Sequence, residues 1–285
     1  MKLSIAIADS NALESAFVVF RGFEESIPKA AKLGYNGVEL ALKRVDEINL
    51  NKLDSLLQQH DLIVSCISTG QVYADGGLVL THSSKHKRLE VKTIFKDFID
   101  MADGYGKMVN IGRARGTIGD RNKDYVESLF IDVVRELCEY ASPKGVSLVL
   151  EPLNRYESDF INTVEEGVRF VKEISSGNLG ILPDVFHMNI EEKNIGAEFC
   201  KNIDYIKYIH FADSNRMAPG QGHLDFSGIF ASLQNTGYTG WISTEILPRP
   251  DADKAASQAI EFLLPFLNKL ANGTLNAGLK TKARL

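Results

Sequence analysis

Residues 146–163 read VSLVLEPLNRYESDFINT, and the first half of this stretch decides the architecture. Val146, Leu148, Val149 and Leu150, interrupted only by Ser147, form an apolar run of strand length that ends on Glu151. A run of this kind reads as a buried strand. A carboxylate at its end must be satisfied or put to use. Asn154, Arg155 and Glu157 follow closely, and polar loops carried on a rigid scaffold are where function concentrates. Three further stretches repeat the arrangement: LGILPD reaches Asp184, IKYIHF contains His210, and WISTEI bears Glu245.

Working outward, apolar runs at 2–8, 35–40, 62–67 and 107–111 supply four earlier strands. Helical periodicity is expected over 24–33, closed by Gly34, over 51–60, from Ser83 or Ser84 to 102, and over 124–141. It recurs at 163–174 with Thr163 as cap, then at 197–202, 226–235 and 255–270. Eight strand-then-helix units imply a parallel sheet with right-handed crossovers, closing into a single α/β domain, a (β/α)8 TIM barrel over 1–270. A doubly wound open sheet is the rival, but no GxGxxG follows the first strand. Residues 271–285 lack periodicity and mix Gly, Asn, Thr, Lys and Arg, as in a mobile tail or an arm for a partner subunit.

The 285 residues suit one such barrel, and 44% hydrophobic content is ample for its core. No apolar run approaches the roughly 20 residues of a membrane helix. The segment 1–8 lacks the features of a signal peptide, so the expected location is cytoplasmic. A net charge of −5 without a basic stripe argues against nucleic acid and points to a small-molecule ligand. Cys66, Cys138 and Cys200 have no metal-finger or CxxC spacing and read as reduced thiols. Cys138 and Cys200 fall in helical patterns and are expected in the core.

Glu151, Asp184, His210 and Glu245 are separated by 33, 26 and 35 residues. One repeat of a barrel of about 250 residues averages roughly 31. The four therefore fall on consecutive strands at one height and converge on the mouth. Three carboxylates brought together repel, and without compensation one takes up a proton. A divalent cation removes that conflict, and three oxygens with one imidazole suit Mn²⁺, Mg²⁺ or Co²⁺ better than structural zinc. Taken singly, each residue has an ordinary explanation as a helix cap, a core histidine or a rim charge; four at matched strand ends do not. Glu157, His187 and Arg216, a few positions beyond three of the four, fit a second ring that grips a substrate. In the glycine-rich loop GRARGTIGDR, Arg113 and Arg115 offer charge to an anion.

LEPLNRYESDFINT, LPDVFHMNIEE, HFADSNR with PGQGHLDF, and GYTGWISTEI resemble the corresponding segments of the D-tagatose 3-epimerase family, within the xylose isomerase-like TIM barrels. The likeness runs from Lys2 to about Leu270, and a closely similar subgroup includes 5-keto-L-gluconate epimerases. The resemblance implies an isomerase, a metal-dependent carbohydrate epimerase that inverts C3 of a ketose or keto sugar acid through an enediolate. It implies Glu151, Asp184, His210 and Glu245 as ligands of a divalent metal, Mn²⁺ first, with Glu151 and Glu245 as the catalytic acid and base on opposite faces of the sugar. Glu157, His187 and Arg216 become substrate contacts. Cys66, with Gly70 and Tyr73 near it, borders the sugar's far end in this reading, and the family likeness suggests a homodimer or tetramer.

Arg113 and Arg115 favour a keto sugar acid over a neutral ketose. Glu39 reads equally as a substrate contact or a hydrogen-bond partner at a strand end, while His223 and Asp225 read as shaping a loop and capping the next helix. The nearest rival keeps the metal site but performs aldose–ketose isomerisation or dehydration of a polyol. A DNA-repair endonuclease on the same barrel would need more histidines than the six present. A sugar-binding sensor would have no use for the paired Glu151 and Glu245.

Overall fold

The structure is a computed structural model that describes residues 1–14 and 16–271. The tail expected at 271–285 therefore lies, from 272 onward, outside the described residues. The apolar runs become β1 (Lys2–Ala8), β2 (Phe20–Arg21), β3 (Gly37–Ala41), β4 (Ile63–Ser68), β5 (Met108–Ile111), β6 (Ser147–Leu150), β7 (Leu179–Ile181), β8 (Tyr208–Phe211) and β9 (Trp241–Thr244). Apart from β2, an edge addition to β1, these are the eight staves of a barrel. They pair in the order β7-β6-β5-β4-β3-β1-β9-β8, and every pairing is parallel. The ring closes between β7 and β8 through two isolated parallel bridges, Ile181 to Ile206 and Asp184 to His210.

Around the barrel lie α1 (Phe23–Leu33), α2 (Leu50–His60), α3 (Gly70–Gly76), α4 (Lys85–Gly104), α5 (Lys123–Ala141), α6 (Val164–Ile174), α7 (Val185–Glu191), α8 (Ile195–Asn202), α9 (Phe226–Thr236) and α10 (Ala252–Ala271). Their ends follow from local chemistry. Gly34 stops α1 at φ 94°, a left-handed position, with its N–H on the last carbonyls of the helix. Thr163 caps α6, its hydroxyl accepting from Glu166 N–H while the Glu166 carboxylate reaches back. Asp225 caps α9, and His223 shapes the preceding loop through Ser214, as the sequence suggested.

The two-residue period of a strand decides what faces the axis. On β1, Leu3, Ile5 and Ile7 pack outward against helices, while Ser4, Ala6 and Ala8 face in. On β8, Ile209 and Phe211 face the helices, while Tyr208 and His210 face in. A register shift between β3 and β4 pairs Val38 with Val64 but Glu39 with Cys66. The bulge at Ser65 turns both Ser65 and Cys66 inward. The floor of the barrel is Cys66, Val149, Leu182 and Tyr208.

Three expectations change. The segment between the strand ending at 67 and the helix beginning at Ser83 or Ser84, given no element from the sequence, contains the short helix α3, hidden because Gly70, Gly76 and Gly77 bracket it. A second unforeseen helix, α7, begins directly at Asp184 and is too short for its periodicity to show. Cys138 is buried as expected, but Cys200 is exposed on α8. Among the described residues no helix is long and apolar enough to cross a membrane.

Candidate metal centre and active site

Glu151, Asp184, His210 and Glu245 each offer one ligand atom, and these atoms lie within 4.8 Å of one another. His210 Nδ1 stands between the two glutamates, 3.3 Å from Glu151 Oε1 and 3.6 Å from Glu245 Oε2. The gathering follows from strand parity. Glu151 continues the inward set of Val149, and His210 that of Tyr208. Gly112 makes room for Glu151, because a Cβ there would meet Glu151 Oε2 at 2.8 Å. Asn110 Nδ2 donates to the same oxygen at 2.9 Å and fixes the carboxylate.

Asp184 divides its oxygens between two tasks. Oδ1 caps α7 by accepting from Phe186 N–H at 2.9 Å, and Oδ2 accepts from Arg216 Nη1 at 2.6 Å. Asp184 is thus a helix cap and at the same time a member of the convergent cluster. Arg216 also pairs with Glu245 through Nη2. Its guanidinium lies between the rings of Phe17 and Phe186, at 4.5 and 4.7 Å from their centroids. The loop that carries it is tightly built: Asp213 accepts from the N–H groups of Ser214, Gly220 and Leu224, and Arg216 itself adopts φ 63°.

The electrostatics express crowding of like charge. Burial, reinforced by Glu151 and Asp184 nearby, raises the Glu245 carboxyl to about 8 against the pull of His210 and Arg216. Burial also raises Asp184, although Arg216 and His210 oppose it. Glu151 goes the other way: burial would lift it, but His210, His187 and Asn110 hold it at about 2. Burial disfavours a charged His210, yet Glu39, Glu245 and Glu151 outweigh it and hold its pKa well above the ordinary histidine range. Three carboxylates sharing one point with only a guanidinium and an imidazole to balance them form an oxygen-rich donor set that fits a hard divalent cation.

A cleft opens above the cluster, lined among others by Phe17, Gln71, Asn110, Arg113, Glu157 and His187. His187 Nδ1 accepts the Asn154 backbone N–H at 3.2 Å, so the neutral ring carries its proton on Nε2. Burial and the charge of Arg216 depress its pKa and keep it neutral. Nε2 faces Asp184 Oδ2 at 3.8 Å and Glu151 Oε1 at 4.0 Å. Glu157 accepts from Asn154 Nδ2 at 3.0 Å and lies at the side of the cleft. Arg113 is half-buried over the Tyr73 ring, 4.7 Å from its centroid, with a buried Nε that has no partner.

Two expected contacts do not reach the cleft. Arg115 is fully buried and spends its guanidinium on the carbonyls of Phe160, Ile161, Glu151 and Gly112, so it stitches loops and offers nothing to an anion. Cys66 lies in the barrel floor against Val149, Leu182 and Tyr208 and does not line the cleft. Burial, with Glu39 and Glu151 nearby, pushes its thiol up and keeps it protonated. Glu39 proves to be a hydrogen-bond partner, of His210. The sequence reading missed Phe17, Gln71 and Asn110. Gln71 sits on the unforeseen α3, and Phe17 on a loop without periodic pattern.

Residues 27–266 match the family model described as xylose isomerase-like TIM barrel. The chain is 27% identical over 242 residues to a D-psicose 3-epimerase of Agrobacterium fabrum, covering 78% of each protein. It is 28% identical over 223 residues to a 3-dehydro-D-guloside 4-epimerase of Escherichia coli, covering 75% of this chain and 83% of that protein. The solved structure of an L-ribulose 3-epimerase superposes with a TM-score of 0.82 at 22% identity, covering 98% of this chain and 99% of that one, a likeness of fold. The chain thus belongs to the xylose isomerase-like TIM barrel family, and its curated relatives are sugar epimerases, a class of isomerase.

Proposed function

We propose that the protein is a divalent-metal-dependent epimerase that inverts C3 of a ketose, and that its preferred substrate is a keto sugar acid. The observation that carries this reading is the pair Glu151 and Glu245, both beside His210 Nδ1 and both lining one cleft. Glu151, Asp184, His210 and Glu245 would hold the cation, Mn²⁺ in preference to Mg²⁺ or Co²⁺. When bound, it would act as a Lewis acid that stabilises negative charge on substrate oxygens.

The remaining chemistry belongs to the chain. One glutamate removes the C3 proton as a general base, and the other returns a proton to the opposite face of the planar enediolate, inverting the carbon. Positioned proton transfer of this kind is worth roughly 10² to 10⁴ in rate. His187, neutral with its proton on Nε2, donates toward a sugar oxygen, and Arg216 adds fixed positive charge; both act where charge develops. Glu157 accepts from a sugar hydroxyl. The half-buried Arg113, whose Nε lacks a partner, supports a substrate carboxylate at the far end of the cleft. Carboxylates are recognised strongly by guanidinium groups of this kind.

Reaction in D₂O followed by NMR tests the reading. The expected product is the C3-epimeric ketose carrying deuterium at C3. An aldose or a dehydrated product would replace it with the isomerase or dehydratase alternative, and inversion without deuterium would remove the proton-transfer mechanism. Glu151→Gln and Glu245→Gln are each expected to abolish turnover while circular dichroism stays unchanged. Near-normal kcat in either variant would contradict the two-glutamate assignment.

A further inference from the structure

Beneath His210 the barrel interior holds a polar column, of which the proposed chemistry uses the histidine alone. Ser4 on β1, Glu39 on β3, Ser65 on β4, and Tyr208 and His210 on β8 are all fully buried. Ser4 Oγ and Ser65 Oγ lie 2.9 and 2.6 Å from the Tyr208 hydroxyl. Tyr208 donates to Glu39 Oε2 at 3.1 Å, and both Glu39 oxygens lie 3.0 Å from His210 Nε2. Bulky branched apolar residues normally fill this part of an eight-stranded barrel. A carboxylate and three hydroxyls there cost stability unless their hydrogen bonds are complete.

The arrangement decides which imidazole nitrogen faces the cluster. A cation at the cluster would displace one imidazole proton, and Nε2, held by two carboxylate oxygens at 3.0 Å, keeps its own in preference to Nδ1, which lies 3.3 Å from Glu151 Oε1. The lone pair is then left on Nδ1, the nitrogen between Glu151 and Glu245. A carboxylate behind a ligating histidine also makes the ligating nitrogen more basic. Tyr208 in turn keeps Glu39 from rotating away, and the bulge at β4 brings Ser65 within reach of Tyr208.

We propose that Glu39, held by Tyr208, is a positioning residue for the metal centre: it fixes the His210 proton on Nε2 and so presents Nδ1 to a divalent cation. This rests on the metal reading of the cluster and is independent of the sugar. The test is calorimetric titration of chelator-stripped wild type, Glu39→Gln and Tyr208→Phe with Mn²⁺, alongside the melting temperature of each protein stripped and loaded. Glu39→Gln is expected to raise the Kd by about 10- to 100-fold, the usual cost of losing a carboxylate behind a ligand. Tyr208→Phe should raise it in the same direction by a smaller factor. In both, the gain in melting temperature on adding Mn²⁺ should shrink, which a purely structural role would leave unchanged. Wild-type Kd in both variants overturns the proposal. If Glu39→Gln does not fold, Tyr208→Phe decides by the same criterion. Wild-type protein that fails to bind Mn²⁺ gives a different result, in which the metal reading falls and this inference with it.

Discussion

Two arginines two residues apart in sequence have opposite fates, and the difference is testable. Arg113 is half-buried over Tyr73 with an unpaired Nε, whereas Arg115 is enclosed and bonded to four carbonyls. Arg113→Ala is expected to raise KM for a keto sugar acid about tenfold or more, since a hydrogen bond to a charged group is worth roughly 1.5–3 kcal/mol. KM for a neutral ketose should move less than twofold, and an unchanged ratio between the two substrates would remove the carboxylate subsite. Arg115→Ala should leave that ratio alone and instead cost about 3 kcal/mol or more in urea unfolding, because each orphaned buried carbonyl costs roughly 1–3 kcal/mol. Spacing alone did not separate the pair, because loop sequence carries no period from which burial can be read. The four convergent residues were legible because strand parity and repeat length both constrain them. Cys66 was misplaced because the bulge at Ser65, which has no sequence signal, sets its direction.

At the level of elements, helix ends proved more legible than short helices. Thr163 and Glu166 form the reciprocal cap of α6, and Thr163→Ala is expected to lower stability by about 1 kcal/mol. Equilibrium denaturation should record that loss with kcat/KM unchanged, because α6 contributes no group to the cleft. The eight long apolar runs were readable from hydrophobic content alone. The helices α3 and α7, of seven residues each, were not, since two turns show too little of a 3.6-residue pattern. Both lie just after a stave and bring Gln71 and His187 to the cleft.

For the molecule as a whole, the proposed cation links stability to function. Removing it with a chelator should abolish turnover and lower the melting temperature, and Mn²⁺ should restore both. A ligand at a hundred times its dissociation constant stabilises by about 2.7 kcal/mol. A melting temperature indifferent to chelation and to Mn²⁺ would argue against the site. The closure of the ring gives this linkage a location. Between β7 and β8 only two bridges join the staves, and one of them runs from Asp184 to His210. The barrel is therefore fastened at its closing join by two of the residues that would grasp the ion, so metal uptake would act as a clasp. The amide of His210, bonded to the Pro183 carbonyl at 3.0 Å across that gap, should exchange its hydrogen with solvent more slowly once Mn²⁺ is added. Amides in the long β1–β3 ladder, far from the join, should barely respond.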